Sequence, residues 1–322
     1  MNFRILGRTG LRISDISFGA WGIGGNLWHG SDDRESVRAL HRAADLGVNF
    51  FDTALVYGDG HSEKLVGAFV KERKERIYIA TKIPPKNGRW PAKHGSRLAD
   101  VFPSAHIVRS TEESLRNLGV ERIDVQQFHV WNDDWTDLPE WYDAVTRLRS
   151  EGKIRYFGIS INDHQPANAL RLIESGKCDT VQVIYNIFDQ LAERELFPAC
   201  RQRNVGVIVR VPFDEGALTG SITPASTFPD GDFRKSYFRG NRTLMVVEHV
   251  DKLRPLLGKE AATMPELALR FCLHHDAVST VIPGMRTVHH VESNCAISDG
   301  RRLSEQMLIA LRNHAWEKNF YA

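Results

Sequence analysis

At 322 residues, with 42% hydrophobic and 25% charged side chains, the chain has the make-up of an ordinary globular protein, long enough to bury a core without metal or disulfide staples. A formal net charge of +2 supplies no long-range field to draw it onto nucleic acid or an anionic membrane, and no apolar stretch reaches bilayer length. Cys178, Cys200, Cys272 and Cys295 are scattered without a C-x-x-C, and the opening MNFRILGRTGLR lacks the apolar run of a secretory signal; both point to a cytoplasmic protein with free thiols.

Short apolar runs alternate with amphipathic stretches along nearly the whole length. FRILGRTGLRIS, with a turn from Gly7 to Gly10, reads as a hairpin ahead of the first repeat unit and is placed to cap a barrel bottom. ISFGAW (16–21) reads as a strand, and Ser31, Asp32 and Asp33 are N-cap candidates for a helix ending near Leu46 with Gly47 as its stop. The next strand is NFFDT (49–53), followed by a helix over 62–71. IYIATK (77–82) precedes a helix over 106–118, and DVQQFH (124–129) precedes one over 140–150. YFGIS (156–160) leads to a helix over 166–175, and TVQVIYN (180–186) to one over 193–203. GVIVRVP (206–212) is followed by helices over 242–256 and 264–274. STVIPG (279–284) precedes a helix over 288–297, and a terminal helix covers 304–316.

Eight strand–helix units without a linker-like break predict one α/β domain over 1–322. Its architecture is a (β/α)8 TIM barrel, with the active site at the C-terminal ends of the strands. Two connections, 84–105 after the third barrel strand and 214–241 after the seventh, are long enough to be functional.

The strand ends carry the chemistry. Asp52 ends the second barrel strand and Tyr57 follows in its loop; Lys82 ends the third and His129 the fourth. Adjacent parallel strands bring such residues together at one mouth. A free phenol titrates near ~10, too high for efficient proton transfer at neutral pH. A neighbouring ammonium is expected to lower that value, a carboxylate to hold the ammonium, and a neutral imidazole to orient a carbonyl oxygen.

NFFDTALVYGDGHSEKLVG closely resembles the signature of the aldo-keto reductases, and IATK, QQFHVW, FGAWGIGG and VQVIYN resemble further segments of that family in its order. The resemblance implies Asp52, Tyr57, Lys82 and His129 as a catalytic tetrad, with hydride transfer from a nicotinamide to an aldehyde or ketone and protonation by Tyr57. It implies cofactor contacts from Gly19, Ala20 and Trp21 of the first loop, and from Asp52, Ser160, Asn162 and Gln182. VRVPFDEGALTG is similar to the family's seventh-strand stretch, which implicates Arg210, Val211, Pro212, Phe213, Gly216 and Leu218. Arg210 stands where a Tyr usually stacks on the nicotinamide; its fixed charge is expected to disfavour the oxidised ring. IPGMRTVHHVESN resembles the adenosine site, implicating Gly284, Met285, Arg286, Thr287, His290 and Asn294. Arg286 suits a 2′-phosphate, hence NADPH over NADH.

Trp21, Trp28, Trp131 and Phe213 are the expected pocket walls, pointing to an apolar or ring-bearing small-molecule carbonyl. His274-His275 and His289-His290 lack metal-site spacing, so no metal is expected. Two other readings compete: a cofactor-binding, redox-sensing subunit with little turnover, and a barrel lyase or hydrolase using Asp52 and Lys82. Substrate identity and oligomeric state are not written in the pattern.

Overall fold

A computed structural model describes residues 1–321. β1 (Phe3–Ile5) and β2 (Arg12–Ser14) form the antiparallel hairpin, paired from Phe3↔Ser14 to Ile5↔Arg12. β3 (Phe18–Gly19), β4 (Phe50–Asp52), β5 (Tyr78–Ile83), β6 (Ile123–Phe128), β7 (Ile154–Ser160), β8 (Thr180–Ile184), β9 (Gly206–Arg210) and β10 (Val278–Val281) then pair in sequence order, all parallel. The ring closes through parallel bridges Ile16↔Val281 and Gly19↔Gly284. There the Ser17 N–H donates to Val281 O (2.9 Å) and the Gly19 N–H to Pro283 O (3.1 Å). This is a (β/α)8 barrel.

The outer layer comprises α1 (Asp33–Asp45), α2 (His61–Lys71), α3 (Leu98–Val101), α4 (Ser104–Leu118), α5 (Pro139–Ser150), α6 (Leu170–Ser175), α7 (Leu196–Arg203), α8 (Phe233–Tyr237), α9 (Arg242–Leu253), α10 (Met264–His274), α11 (Val288–Cys295) and α12 (Glu305–Arg312). Their starts follow local chemistry. Asp32 caps α1 by accepting from the Glu35 N–H, Thr263 caps α10 from Glu266, and Thr287 caps α11 from His290. The longer helices turn an apolar stripe inward, as Ala39, Leu40, Ala43 and Ala44 do on α1.

The hairpin seals the end of the barrel opposite the mouth. Leu6, Leu11 and Ile13 pack on Phe50, Ala80, Val125, Ile208 and Ile282. Gly7 is required there: its φ is +48°, and an added Cβ would lie 2.2 Å from the Gly206 nitrogen.

Several boundaries differ from the sequence pattern. The first barrel strand is two residues long, because the chain leaves β3 to enter a short 3-10 turn at Trp21–Ile23. α6 begins at Leu170 rather than 166, after turns in which His164 takes a φ of +55°. α12 ends at Arg312, and the segment beyond it bonds back to the barrel loops, the Trp316 N–H donating to Phe188 O (2.8 Å). The two long connections contain the short helices α3 and α8, too brief to carry a periodic signal.

Candidate active site

Register brings the early strand ends level: Asp52 pairs with Ala80 across β4 and β5, and Lys82 with Gln127 across β5 and β6. The Lys82 ammonium contacts an Asp52 carboxylate oxygen, donates to Thr53 O at 2.8 Å, and reaches the Tyr57 hydroxyl at 3.4 Å. Asp52 accepts on its other oxygen from Gln182 (2.8 Å) and Gln127 (3.2 Å). The His129 ring lies edge to face with Tyr57, centroids 5.9 Å apart. Asp52 and Lys82 are buried, whereas Tyr57 and His129 stay partly open to the mouth. The structure therefore brings all four together, with the ion pair beneath and the two rings above.

Tyr57 is positioned by backbone. Gly58 has φ +64°, and an added Cβ would fall 1.9 Å from Gly24 O, so the loop carrying Tyr57 is wedged against the loop after β3. The Ser62 hydroxyl completes the junction, donating to Ala20 O (3.0 Å) and accepting from the Thr53 hydroxyl (2.9 Å).

The electrostatics differ from the sequence expectation at Tyr57. Burial drives its pKa above the ordinary tyrosine value, and the opposing pull of Lys82 does not overcome burial and Asp52 together. Lys82 moves up too: burial lowers it, but Asp52 and Tyr57 outweigh that. His129 is held well below the usual histidine range by burial, then by Lys82 and Arg210. Its Nδ1 is buried without a partner. At neutral pH the site thus presents a protonated phenol, a fixed ammonium and a neutral imidazole, a set able to donate a hydrogen bond and then a proton to a carbonyl oxygen.

Aromatic side chains surround these groups. Trp21 stacks near Tyr57 (6.2 Å) and contacts Trp28 (5.5 Å) and Phe233 of α8 (5.1 Å). Trp90, in the loop after β5, stands edge-on to His129 at 5.8 Å. The expectation for Trp131 is corrected. It is fully buried among Phe128, Trp135 and Trp141, with its indole N–H on Asp133 (3.1 Å), and is core rather than pocket wall. Phe213 is partly exposed after β9.

Around the mouth, Ser160 ends β7, buried, and Asn162 is tied to the Trp131 N–H (3.3 Å), Ala92 O (2.9 Å) and Gln165 (3.2 Å). Arg210 ends β9. Its guanidinium donates to Ile161 O (3.0 Å) and to Asp163 (2.7 Å). That carboxylate offsets part of the charge, which still acts on His129 and Tyr57. After β9 the backbone is strained: Val211, Asp214 and Glu215 have φ of +56°, +48° and +55°. Each is held from a different element. Asn186 donates to Val211 O (2.9 Å), Tyr237 and Lys318 to Asp214 (3.0 and 2.7 Å), and Tyr321 to Glu215 (2.5 Å). Pro212 and Leu218 are buried.

Added Cβ atoms at Gly216, after β9, and Gly284, after β10, would meet nothing within 4 Å, so open ground lies over both loops. Beside Gly284 come Arg286 and the start of α11 with His290; Met285 and Asn294 are buried. Arg286 donates to His29 O (2.9 Å) and lies 5.7 Å from the Trp28 ring, against Gly22. The Val288 N–H at the α11 start is taken by Glu35 (3.0 Å).

The model of the Aldo/keto reductase family matches residues 15–315. This chain belongs to that family. The aldo-keto reductase is 31% identical to the NADH-specific methylglyoxal reductase of Escherichia coli, over 90% of this chain and 91% of the relative. It is 29% identical to a probable voltage-gated potassium channel subunit beta of Arabidopsis thaliana, over 93% and 92%. Among solved structures it resembles the glycerol dehydrogenase AKR11B4 from Gluconobacter oxydans, with TM-score 0.79 and 30% identity, over 97% and 94% of the two chains.

Sequence reasoning missed several residues of this aldo-keto reductase site. Gln127 carried a signal, a buried amide one position before the strand end. Asp163, Glu35 and Tyr321 carried none, because they meet their partners only across separate loops. Trp90 and Phe233 lie in the two long connections, where no period singles out a residue.

Proposed function

We propose that this chain reduces an aldehyde or ketone to the alcohol with NADPH, and that Tyr57 is the general acid. The observation that carries the reading is the Asp52–Lys82–Tyr57 chain of contacts beside a neutral His129. A bound nicotinamide would supply the hydride. Tyr57 donates a hydrogen bond and then its proton to the carbonyl oxygen as negative charge develops there. His129 orients that oxygen, and Lys82 stabilises the phenolate left behind. Asp52 keeps Lys82 charged and in place, itself held by Gln127 and Gln182. Gly19, Ala20, Trp21, Ser160, Gln182, Arg210 and the segment 211–218 would hold the nicotinamide half. Gly284, Met285, Arg286, His290 and Asn294 would hold the adenosine half, with Arg286 on a 2′-phosphate. Trp21, Trp28 and Phe213 serve as pocket walls.

A lyase forming an imine on Lys82 is disfavoured, because an ammonium stabilised by Asp52 is a poor nucleophile. The redox-sensing alternative draws on the likeness to a potassium channel subunit beta, and turnover separates it from an enzyme. The test is a screen of simple aldehydes with NADPH and, separately, NADH, followed by nicotinamide absorbance. Aldehyde-dependent oxidation with NADPH preferred is expected. Oxidation of neither cofactor would overturn the catalytic reading, and a preference for NADH would overturn the cofactor assignment.

A further inference from the structure

Beyond α12 the described residues form no further helix or strand, yet side chains anchor the segment firmly. The Trp316 indole lies flat on the His249 ring of α9, centroids 3.6 Å apart and planes within 6°. Phe320 is buried, and its carbonyl accepts from the Arg242 guanidinium at the start of α9 (2.7 Å). From these anchors two side chains reach the loop after β9. Lys318 donates to Asp214 (2.7 Å), and the Tyr321 hydroxyl donates to Glu215 (2.5 Å). The Lys318–Asp214 pair is nearly sealed from water, with side-chain exposures of 5% and 2%. Asp214 and Glu215 are the residues whose backbone is left-handed, a conformation that persists only where the surroundings hold it.

We infer that Lys318 and Tyr321 are positioning residues, and that the segment 313–321 is a strap that fixes the loop 211–218 and thereby sets how fast a nicotinamide nucleotide leaves. The inference rests on the proposed role of that loop in holding the nicotinamide half. Strained backbone relaxes once its restraints go, and a loop that relaxes gives up what it holds. Asp214 and Glu215 are adjacent carboxyl groups, both buried. Without the Lys318 ammonium, Asp214 keeps the Tyr237 hydroxyl (3.0 Å) but loses its cation, so turning the loop toward water becomes lower in free energy. Without the Tyr321 hydroxyl, the Glu215 carboxyl loses a buried donor, with the same consequence. Opening one loop takes less free energy than unfolding the domain. The strap therefore controls an exchange rate without controlling the stability of the barrel.

The experiment compares the full-length wild type with Lys318→Met, Tyr321→Phe and Glu317→Ala. The last is a control on the same segment, since Glu317 is exposed and pairs outward with Arg194. Hydrogen–deuterium exchange of the cofactor-free proteins follows residues 211–220 against β5 and β6. A chase of bound NADPH with excess NADP+ gives the dissociation rate. Lys318→Met and Tyr321→Phe should each speed exchange in 211–220 and NADPH dissociation by about tenfold, the loss of one charge-assisted hydrogen bond. Exchange in β5 and β6 should stay at the wild-type rate, and Glu317→Ala should match wild type throughout. Unchanged exchange in 211–220, or equal acceleration across the barrel, would overturn the strap. Faster exchange in 211–220 with unchanged NADPH dissociation would overturn its link to the nucleotide. Wild type that binds neither NADPH nor NADH would instead remove the cofactor reading, a result separate from the exchange comparison.

Discussion

Lys82 and Asp52 form an ion pair sealed from water, with side-chain exposures of 0% and 3%. Desolvating two charges is costly, and such a pair is tolerated when its remaining donors and acceptors are satisfied. Here Thr53 O, Gln127, Gln182 and Tyr57 do that. The pair stands under the phenol and ties its electrostatics to the barrel interior.

Lys82→Met should therefore abolish reduction and destabilise the fold by about 3–5 kcal/mol, because Asp52 is left charged and unpaired. It should also move the alkaline limb of alcohol oxidation upward, since phenolate loses its neighbouring cation. Chemical denaturation and a pH–rate profile check both. A mutant of normal stability and normal activity would remove Lys82 from the site.

Tyr57→Phe should cost roughly 10²–10⁴-fold in kcat with little change in NADPH affinity, since the phenol acts on the transition state. Single-turnover reduction and fluorescence titration give the two numbers. Because burial raises the Tyr57 pKa, wild-type reduction should hold steady through neutral pH and fall only above the ordinary tyrosine range. Retention of more than about a tenth of the rate in Tyr57→Phe would assign the acid elsewhere.

For Arg286→Ala, NADPH binding should weaken roughly tenfold to a hundredfold, the loss of one charge-assisted contact of ~1.5–3 kcal/mol, while NADH binding is nearly unchanged. Glu35, whose carboxylate sits at the α11 start, should oppose a 2′-phosphate, so Glu35→Gln is expected to improve NADPH binding selectively. His290 is held below the usual histidine range by burial, then by Arg286 and His289. Any strengthening of NADPH binding by acid should accordingly begin at lower pH than for a free histidine. Equal effects on both cofactors would mean that Arg286 only shapes the loop against Trp28.

Glu215 supplies a pH dependence of stability. Burial pushes its carboxyl up to about 7, against the hydrogen bond from Tyr321 and the charge of Arg210, while Asp214 and Asp163 push it higher. Tyr237 and Lys318 face the neighbouring Asp214. Between the ordinary glutamate value and about 7, the folded form binds more protons than the unfolded form. Its contribution is thus intact at low pH and lost as pH rises through about 7. Comparing the thermal stability of wild type and Glu215→Gln from pH 5 to 8 isolates this part, roughly 3 kcal/mol at most. Parallel curves for the two proteins would show that Glu215 does not titrate in this window.

Hydrophobic periodicity is a property of neighbours along the chain. For that reason eight strand–helix units, the closed barrel and the convergence of Asp52, Tyr57, Lys82 and His129 were legible in the sequence: parallel strands must deliver their ends to one face. Helix starts at Asp32, Thr263 and Thr287 were local chemistry as well, although the sequence pattern singled out only the first cluster. What the tertiary structure alone decided are the meetings of loops that no period links. Asp163 pairs with Arg210, a partner that the strand end alone does not reveal. Trp131 turns into the core while Trp90 reaches His129, because the side of the chain a loop residue faces depends on the path of its whole connection. Burial outweighs Lys82 at Tyr57 for the same reason: desolvation depends on everything packed around a group, and the chain written as letters does not show what surrounds it.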